Sequence, residues 1–406
     1  MTAPLRPVGA QVLPRRVLGL ALVALLAAGC GSDSGSSERS VGGRWRAVAA
    51  APLSGRFLPA AVWTGTEVLI WGGAGCQGAC GGQGIRHQAD GAAYDPSTDT
   101  WRSLPPSPLA ARTGALAVWS GRELIVWGGM VGDRFAADGA AFDPAANRWR
   151  SLPPSPLAGQ FTAPPGTVAQ VPGVWTGKEM LVWGQGAGVE SPDADLPAGA
   201  AYDPATDRWR LLAPAPVAPR IAVPVWTGQE MLVWGGQSGS RYFDDGAAYD
   251  PASDRWRALP ASPLAARFTF AVWSGTQMLM WGGESSNQAF GEGAAYEPAS
   301  DRWQPLPGSP MGERRGFALL WTGDEMIVWG GAPGGGASLL GTGAAYAPAT
   351  GRWREVEPWL ARLLPLALWT GQEAIIWGGI ASTETGLLAS SSEGGRLCLT
   401  ERCPKR

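Results

Sequence analysis

Residues 62–73 read VWTGTEVLIWGG, and close copies of this segment return six more times along the chain. The second Trp of the segment recurs at Trp71, Trp127, Trp183, Trp234, Trp281, Trp329 and Trp377. A repeat period of about fifty residues is typical of propeller blades. We therefore expect the chain to consist of repeated small β-sheets.

A second repeated segment, GAAYDPSTDTW at residues 91–101, follows the first. Its closing Trp recurs at Trp101, Trp149, Trp209, Trp256, Trp303 and Trp353, and Trp45 is an isolated copy. The two segments predict four short strands in each unit, which we name a, b, c and d. A Thr-Gly turn joins a to b, a variable loop joins b to c, and an Asp-Pro turn joins c to d.

The recurring Gly-Gly, Tyr-Asp-Pro and Trp resemble the kelch repeats of the superfamily that includes the central domain of galactose oxidase. The resemblance covers residues 45–406. It implies an all-β fold, a seven-bladed kelch-type β-propeller. It implies little about function, because propellers support many functions.

The number of repeats predicts how the propeller closes. There are seven a strands, seven b strands and seven d-type Trp residues, but only six clear c strands. Residues 45–48 precede the first blade, whereas the last a–b pair, at residues 363–379, has no d strand after it. We predict that residues 45–48 complete the C-terminal blade, with residues 396–400 as its c strand. Such a closure hides strand edges that would otherwise aggregate.

The composition excludes several classes of protein. The 22 Trp residues in 406 are incompatible with a disordered chain. A net charge of −2 argues against nucleic-acid binding. One His and five Cys predict no metal site and no cofactor. Three Trp per blade leave only Trp359 over, so the indoles are expected to pack between blades rather than to bind sugar.

Residues 1–29 are predicted to be a lipoprotein-type signal peptide. Three arginines precede an apolar run at residues 17–28, which is too short for a stable membrane span. The sequence LAAGC at residues 26–30 resembles the lipobox of bacterial lipoproteins, which implies a lipid on Cys30. Ala27 departs from that motif, so an ordinary cleaved signal is the alternative. Arg15 and Arg16 resemble a twin-arginine signal only weakly, and the export route stays open.

Residues 30–43 are rich in Gly and Ser and are expected to be a flexible tether. Residues 44–406 then form the propeller. The resemblance to lipoproteins implies that it lies on the outer face of the bacterial cytoplasmic membrane, and we expect a monomer. Because the net charge is already negative, the acyl chains alone would hold it there.

Four further cysteines occur as two close pairs, Cys76 with Cys80 and Cys398 with Cys403. An exported protein can form disulfides, and four cysteines allow three connectivities. Local pairing is the simplest. Cross-pairing, which would link the first b–c loop to the C-terminal tail, stays open. A metal site is the other alternative, although the chain has only one His.

The b–c loops and the d–a connections are expected to share one face of the propeller, which we call the loop face. These loops are long and variable, so this is the candidate binding face. The b–c loops lie at residues 74–89, 130–137, 185–198, 237–244, 284–291, 332–342 and 380–395. Their candidate contact residues are His87, Phe135, Tyr242, Phe243 and Phe290. The other interpretation is that these aromatic rings pack the loops down.

An arginine recurs six or seven residues before the strand-a Trp. The positions are Arg56, Arg112, Arg220, Arg267, Arg315 and Arg362, and the third repeat has a Pro-rich insertion at residues 160–172 instead. Inner strands line the channel, so these arginines could ring its mouth and attract a carboxylate or phosphate. An acid recurs just before strand c, at Asp90, Asp138, Asp245 and Glu292. Pairing of arginine with acid favours a structural role.

The sequence favours a module that binds a protein or a glycan through the loop face. The alternative is a metal-free carbohydrate-active enzyme of the mutarotase or epimerase type, with Arg and acid residues at the channel mouth. A structural envelope protein is the third class. No catalytic residue is singled out. If the protein is an enzyme, we expect a deep pocket with an unpaired acid beside Arg. If it is a binding module, we expect a broad surface built from loops.

Overall fold

A computed structural model describes residues 43–76, 80, 84–132, 134–157, 170–184, 198–286, 288–334, 338–383 and 386–399. Within these ranges the chain forms seven four-stranded antiparallel sheets and no helix. The predicted all-β, seven-bladed propeller is confirmed.

Each blade contains strands a, b, c and d in that order across the sheet. In blades 1 to 3 the strands a, b, c and d are Ala60–Trp63, Val68–Trp71, Gly91–Asp95 and Thr100–Ser103; Leu116–Trp119, Leu124–Trp127, Gly139–Asp143 and Arg148–Ser151; and Gly173–Trp175, Met180–Trp183, Gly199–Asp203 and Arg208–Leu211. In blades 4 to 6 they are Val225–Trp226, Met231–Trp234, Gly246–Asp250 and Arg255–Ala258; Ala271–Trp273, Met278–Trp281, Gly293–Glu297 and Arg302–Pro305; and Ala318–Trp321, Met326–Trp329, Gly343–Ala347 and Arg352–Val356. In blade 7 they are Leu366–Trp369, Glu373–Trp377, Gly394–Cys398 and Arg44–Ala47.

Among the residues that the structure describes, five of the b–c loops carry a short hairpin of their own. The hairpin strands are Ala74–Cys76 with Ile85–His87, Met130–Val131 with Arg134–Phe135, Gln237–Ser238 with Arg241–Tyr242, Glu284–Ser285 with Gln288–Ala289, and Ile380–Ser382 with Leu388–Ser390. These hairpins extend the loop face beyond the sheets.

Strand b is the buried centre of every blade. In blade 1 all four residues of Val68–Trp71 are buried, because neighbouring blades cover both faces of the sheet. Gly91 of strand c lies opposite Trp71. A Cβ at Gly91 would lie 2.6 Å from the Ile70 carbonyl oxygen and 3.0 Å from the Trp71 ring. The repeated Gly at the start of strand c therefore makes room for the strand-b indole.

The blades are joined by pairs of tryptophans. The strand-b Trp of one blade contacts the strand-d Trp of the next, as in Trp71 with Trp149 at 5.9 Å and Trp127 with Trp209 at 5.6 Å between ring centroids. The strand-d indole also donates a hydrogen bond across the interface, from Trp149 Nε1 to the Pro105 carbonyl oxygen at 3.1 Å. These strand-b and strand-d tryptophans therefore pack between blades, as expected from the sequence.

The N-terminal strand completes blade 7. Arg44–Ala47 pairs antiparallel with Gly394–Cys398, and Trp45 lies opposite Leu397. The same interface contacts continue across the junction: Trp45 contacts Trp329 of blade 6 at 5.2 Å, and Trp377 contacts Trp101 of blade 1 at 5.9 Å. The a strands also contact their neighbours around the full circle, including blade 7 with blade 1.

Strand c of blade 7 begins at Gly394, two residues before the predicted start at position 396. The difference arises because Gly395 and Arg396 stand where the other blades have two alanines. Trp359, the one Trp outside the repeat pattern, fills the space above Gly395, since a Cβ there would lie 2.1 Å from its ring. Its ring also stacks on Trp45 at 4.8 Å. Trp359 thus supports the closing strand.

Candidate functional site on the loop face

A cavity of about 170 Å³ lies at the loop-face end of the channel, where the connections into the a strands converge. Its walls come from six of the seven blades. They are formed by Leu58, Leu116, Gln170, Val171, Pro172, Gly173, Ile221, Ala222, Val223, Pro224, Gln237, Phe268, Phe270, Glu284 and Leu364. Most of these side chains are hydrocarbon, so the cavity suits an apolar group.

Two of the wall leucines have an unusual backbone conformation. Leu58 and Leu364 have φ angles of 46° and 51°, in the left-handed region. Each lies two residues after a buried arginine, and the residues in the same position of blades 2 and 6 are Gly114 and Gly316, with φ angles of 65° and 60°. A β-carbon in this region costs about 1–2 kcal/mol. In blades 1 and 7 the chain therefore carries a side chain on the cavity wall at an energetic cost.

The acid on the cavity wall is already paired. Glu284 begins a b–c hairpin and bridges to Phe268 through the backbone. Its carboxylate accepts a hydrogen bond from Arg315 at 3.3 Å, and about a third of each side chain is exposed. Glu284 is therefore part of an ion pair at the cavity edge.

The recurring arginines are buried within the blade interfaces. Arg56 is fully buried, and its guanidinium donates to the Gly72 carbonyl oxygen at 3.0 Å and to Asp90 Oδ1 at 2.9 Å. Its own carbonyl oxygen accepts a hydrogen bond from Gly379 of the preceding blade at 2.8 Å. Arg56 therefore holds blade 7 to blade 1.

The same arrangement recurs around the ring. The further pairs are Arg112 with Asp138, Arg220 with Asp245, Arg267 with Glu292, and Arg362 with Glu393. Burial raises the pKa of Glu292, but the hydrogen bond and charge of Arg267 outweigh it and the pKa is lowered. Glu393 is not among the acids predicted from the sequence, although it directly precedes the first Gly of strand c just as Asp90 does.

The buried arginine of blade 6 is Arg314, not Arg315. Arg314 is 3% exposed and donates to the carbonyl oxygens of Gly330 at 3.2 Å and Thr342 at 3.0 Å. Arg315 follows it and reaches Glu284 at the cavity edge instead. The sequence could not separate the two, because a spacing of six or seven residues from the strand-a Trp admits both.

The predicted aromatic contact residues divide into two groups. Phe243 and Phe290 are buried, with the guanidinium carbons of Arg220 and Arg267 at 3.7 Å and 3.6 Å from their ring centroids. They pack beneath the buried arginines and do not face solvent. Phe135 and Tyr242 are partly buried on their b–c hairpins.

The single His lies on the first b–c hairpin. His87 pairs with Ala74, is partly buried, and has a pKa lowered by burial. No group of three or more His, Cys, Asp or Glu side chains that could hold a metal occurs in the described part of the chain. Nor do the described ranges include a helix that is both long and apolar enough to cross a membrane.

The cysteines differ in how far the structure describes them. Cys76 and Cys80 form a disulfide within the first b–c loop. Cys398 is also disulfide-bonded. Cys403 and Cys30 lie outside the described residues, so the lipidation of Cys30 stays a prediction.

Comparison with known proteins supports the fold. A family model described as the KLHDC2/KLHL20/DRC7 kelch-repeats domain matches residues 173–379, which is half of the chain. No curated protein matches the chain significantly. The match runs from strand a of blade 3 to the Gly-Gly after strand b of blade 7. With this match and seven four-stranded blades, the chain belongs to the kelch-repeat family of β-propellers.

Proposed function

We propose that this propeller is a protein-binding module that accepts an apolar side chain of its partner in the loop-face cavity. Hydrocarbon walls favour an aliphatic or aromatic anchor over the hydroxyl-rich surface of a glycan. The observation that carries the proposal is the left-handed backbone of Leu58 and Leu364. Blades 2 and 6 have glycine at that position, so the backbone conformation of this connection does not itself require leucine, although both leucines also pack against a buried cluster that includes Phe57 and Ile380.

The arrangement of charges favours binding over catalysis. A metal-free enzyme on carbohydrate would need an acid without a partner beside an arginine. Among the described residues of the cavity wall, the acid is Glu284, and Arg315 is paired with it. The buried arginines of blades 1, 2, 4, 5 and 7 hold their own carboxylates.

Replacing both leucines by glycine tests the cavity. In Leu58→Gly/Leu364→Gly, relief of backbone strain offsets lost contacts, so the melting temperature should change by no more than about 4 °C. Peptides selected from a displayed library on wild-type protein should be rich in aromatic or aliphatic residues. They should bind the double variant at least about tenfold more weakly in a titration, because the wall side chains are gone.

Leu211 provides the matched control, because it is 46% exposed on strand d of blade 3 and is absent from the cavity wall. The substitution Leu211→Gly should leave peptide binding unchanged. Equal binding by the double variant, or a library with no enriched peptide alongside a positive glycan array, would refute the proposal.

We further propose that a lipid on Cys30 holds the module at the outer face of the bacterial cytoplasmic membrane. The support is the sequence LAAGC at residues 26–30 after an apolar run. In Cys30→Ser the protein should leave the membrane fraction and stay soluble after centrifugation. The control Cys76→Ser/Cys80→Ser removes another pair of cysteines and should still sediment. Sedimentation of Cys30→Ser together with membranes would contradict the anchor.

A further inference from the structure

The buried arginine of blade 6 differs from its five counterparts. In blades 1, 2, 4, 5 and 7 the guanidinium binds a carboxylate from the residue just before strand c. In blade 6 that residue is Thr342, and the structure gives Arg314 no carboxylate partner among the described residues. Among the described residues this buried cation therefore has no carboxylate counter-charge, and the nearest aromatic face is the Trp281 ring, 5.9 Å from its guanidinium carbon.

The backbone around Arg314 is nevertheless the same as in the paired sites. Its Nη1 donates to the carbonyl oxygen of Gly330, as Arg56 donates to Gly72, both at the end of strand b. Its Nε donates to Gly312 at 3.3 Å, as Arg56 donates to Ser54 at 3.0 Å. The guanidinium thus has the orientation that presents Nη2 to a carboxylate in the other blades.

The position of that carboxylate is open to solvent. The acids of the paired sites have side chains that are 53–68% exposed, although their arginines are at most 8% exposed. Thr342 is likewise exposed. A carboxylate that arrives from outside can therefore reach Arg314 where the other blades place their own. Burial without a counter-charge lowers the pKa of Arg314 to about 10, so the bound carboxylate would also stabilise the charged form.

We propose that Arg314 is a binding site for an Asp or Glu side chain of the partner protein. This inference rests on the proposed protein-binding function and assigns its partner an acidic residue. An amino-acid carboxylate is favoured because Asp and Glu fill the same site in five blades of this chain. The site lies beside the cavity, since Arg315, the next residue, pairs with Glu284 of the cavity wall. The partner segment would thus combine an apolar anchor with a nearby acid.

The substitution Thr342→Asp tests the site by giving blade 6 the acid that the other blades have. The probe is a blocked glutamate, N-acetylglutamate amide, titrated into the protein by calorimetry. Wild type should bind it in a salt-sensitive manner, and Thr342→Asp should bind at least about tenfold more weakly. The same variant should melt no more than about 2 °C higher, because the new acid is exposed and solvent screens the pair. Thr342→Asn is the neutral control and should bind as wild type does.

Each outcome decides the matter. Absence of glutamate binding to wild type, or equal binding by wild type and Thr342→Asp, would overturn the proposal. Tighter binding of galacturonate than of the blocked glutamate would overturn the proposal that the ligand is an Asp or Glu side chain, and would favour an acidic glycan. The double variant Leu58→Gly/Leu364→Gly should keep its glutamate binding, because it changes only the cavity wall. Failure of peptide selection alongside a positive glycan array, with intact glutamate binding, would therefore refute the proposed function and leave Arg314 standing as a carboxylate site.

Discussion

A chain that begins at Ala50 is expected to be less stable than one that begins at Gly43 by at least about 3–5 kcal/mol in the free energy of unfolding. The difference between the two chains is the strand Arg44–Ala47 with its flanking residues. The estimate is that for loss of one large aromatic side chain from a packed interface, and it omits the hydrogen bonds to Gly394–Cys398.

Three contacts of Trp45 explain this size. The ring stacks on Trp359 at 4.8 Å and contacts Trp329 at 5.2 Å, and its Nε1 donates to the Glu357 carbonyl oxygen at 2.7 Å. Without the strand, Gly394–Cys398 also becomes an exposed sheet edge that promotes association. Chemical denaturation of both chains, followed by Trp fluorescence and by sedimentation, measures both effects. Equal midpoints and equal slopes would show that the N-terminal strand does not close the propeller.

The substitution Arg112→Met is expected to cost about 2–4 kcal/mol, because it leaves buried carbonyl oxygens without a donor. Arg112 is 1% exposed and donates to the carbonyl oxygens of Ala110 at 2.9 Å and Gly128 at 3.1 Å. Its bond to Asp138 at 2.6 Å contributes less, because the Asp138 side chain is 61% exposed and solvent screens the pair. Urea unfolding measures the loss.

The substitution Asp138→Asn separates the two parts of this site. It keeps the backbone bonds of Arg112 and weakens only the ion pair, so it should cost no more than about 1 kcal/mol. An arginine kept for an external ligand would give the opposite pattern, with Arg112→Met close to wild type in stability. We expect Arg112→Met to lose much more stability than Asp138→Asn. That order would identify Arg112 as a structural link between blades.

The repeats were sufficient to predict the fold, because each blade needs the same few residues in the same places. The strand-b Trp requires a small residue across from it, and the Gly that starts strand c supplies this in every blade, including Gly394. The prediction for strand c of blade 7 was two residues late, since only that Gly survives of the GAAY motif. The preceding acid, Glu393, was the signal that would have corrected it.

The candidate site was harder to predict, because it depends on conformation. Nothing in the amino-acid sequence marks Leu58 and Leu364 as having positive φ angles, because leucine ordinarily avoids the left-handed region. The adjacent Arg314 and Arg315 take different roles because a one-residue shift moves a side chain from the blade interface to the cavity edge. Phe243, predicted as a candidate contact residue, packs against the Arg220 guanidinium instead, because a cation is attracted to the face of an aromatic ring.

The central claim is that the strands Arg44–Ala47 and Gly394–Cys398, the first and last in the described part of the chain, form one sheet. Hydrogen exchange on the protein tests it most directly, by comparing the peptide that covers Arg44–Ala47 with the peptide that covers Thr100–Ser103, the strand d of blade 1. We expect the hydrogen-bonded amides of both peptides to be protected to a similar degree. Complete exchange of the N-terminal peptide at the earliest time point, with the blade 1 peptide still protected, would contradict the closure.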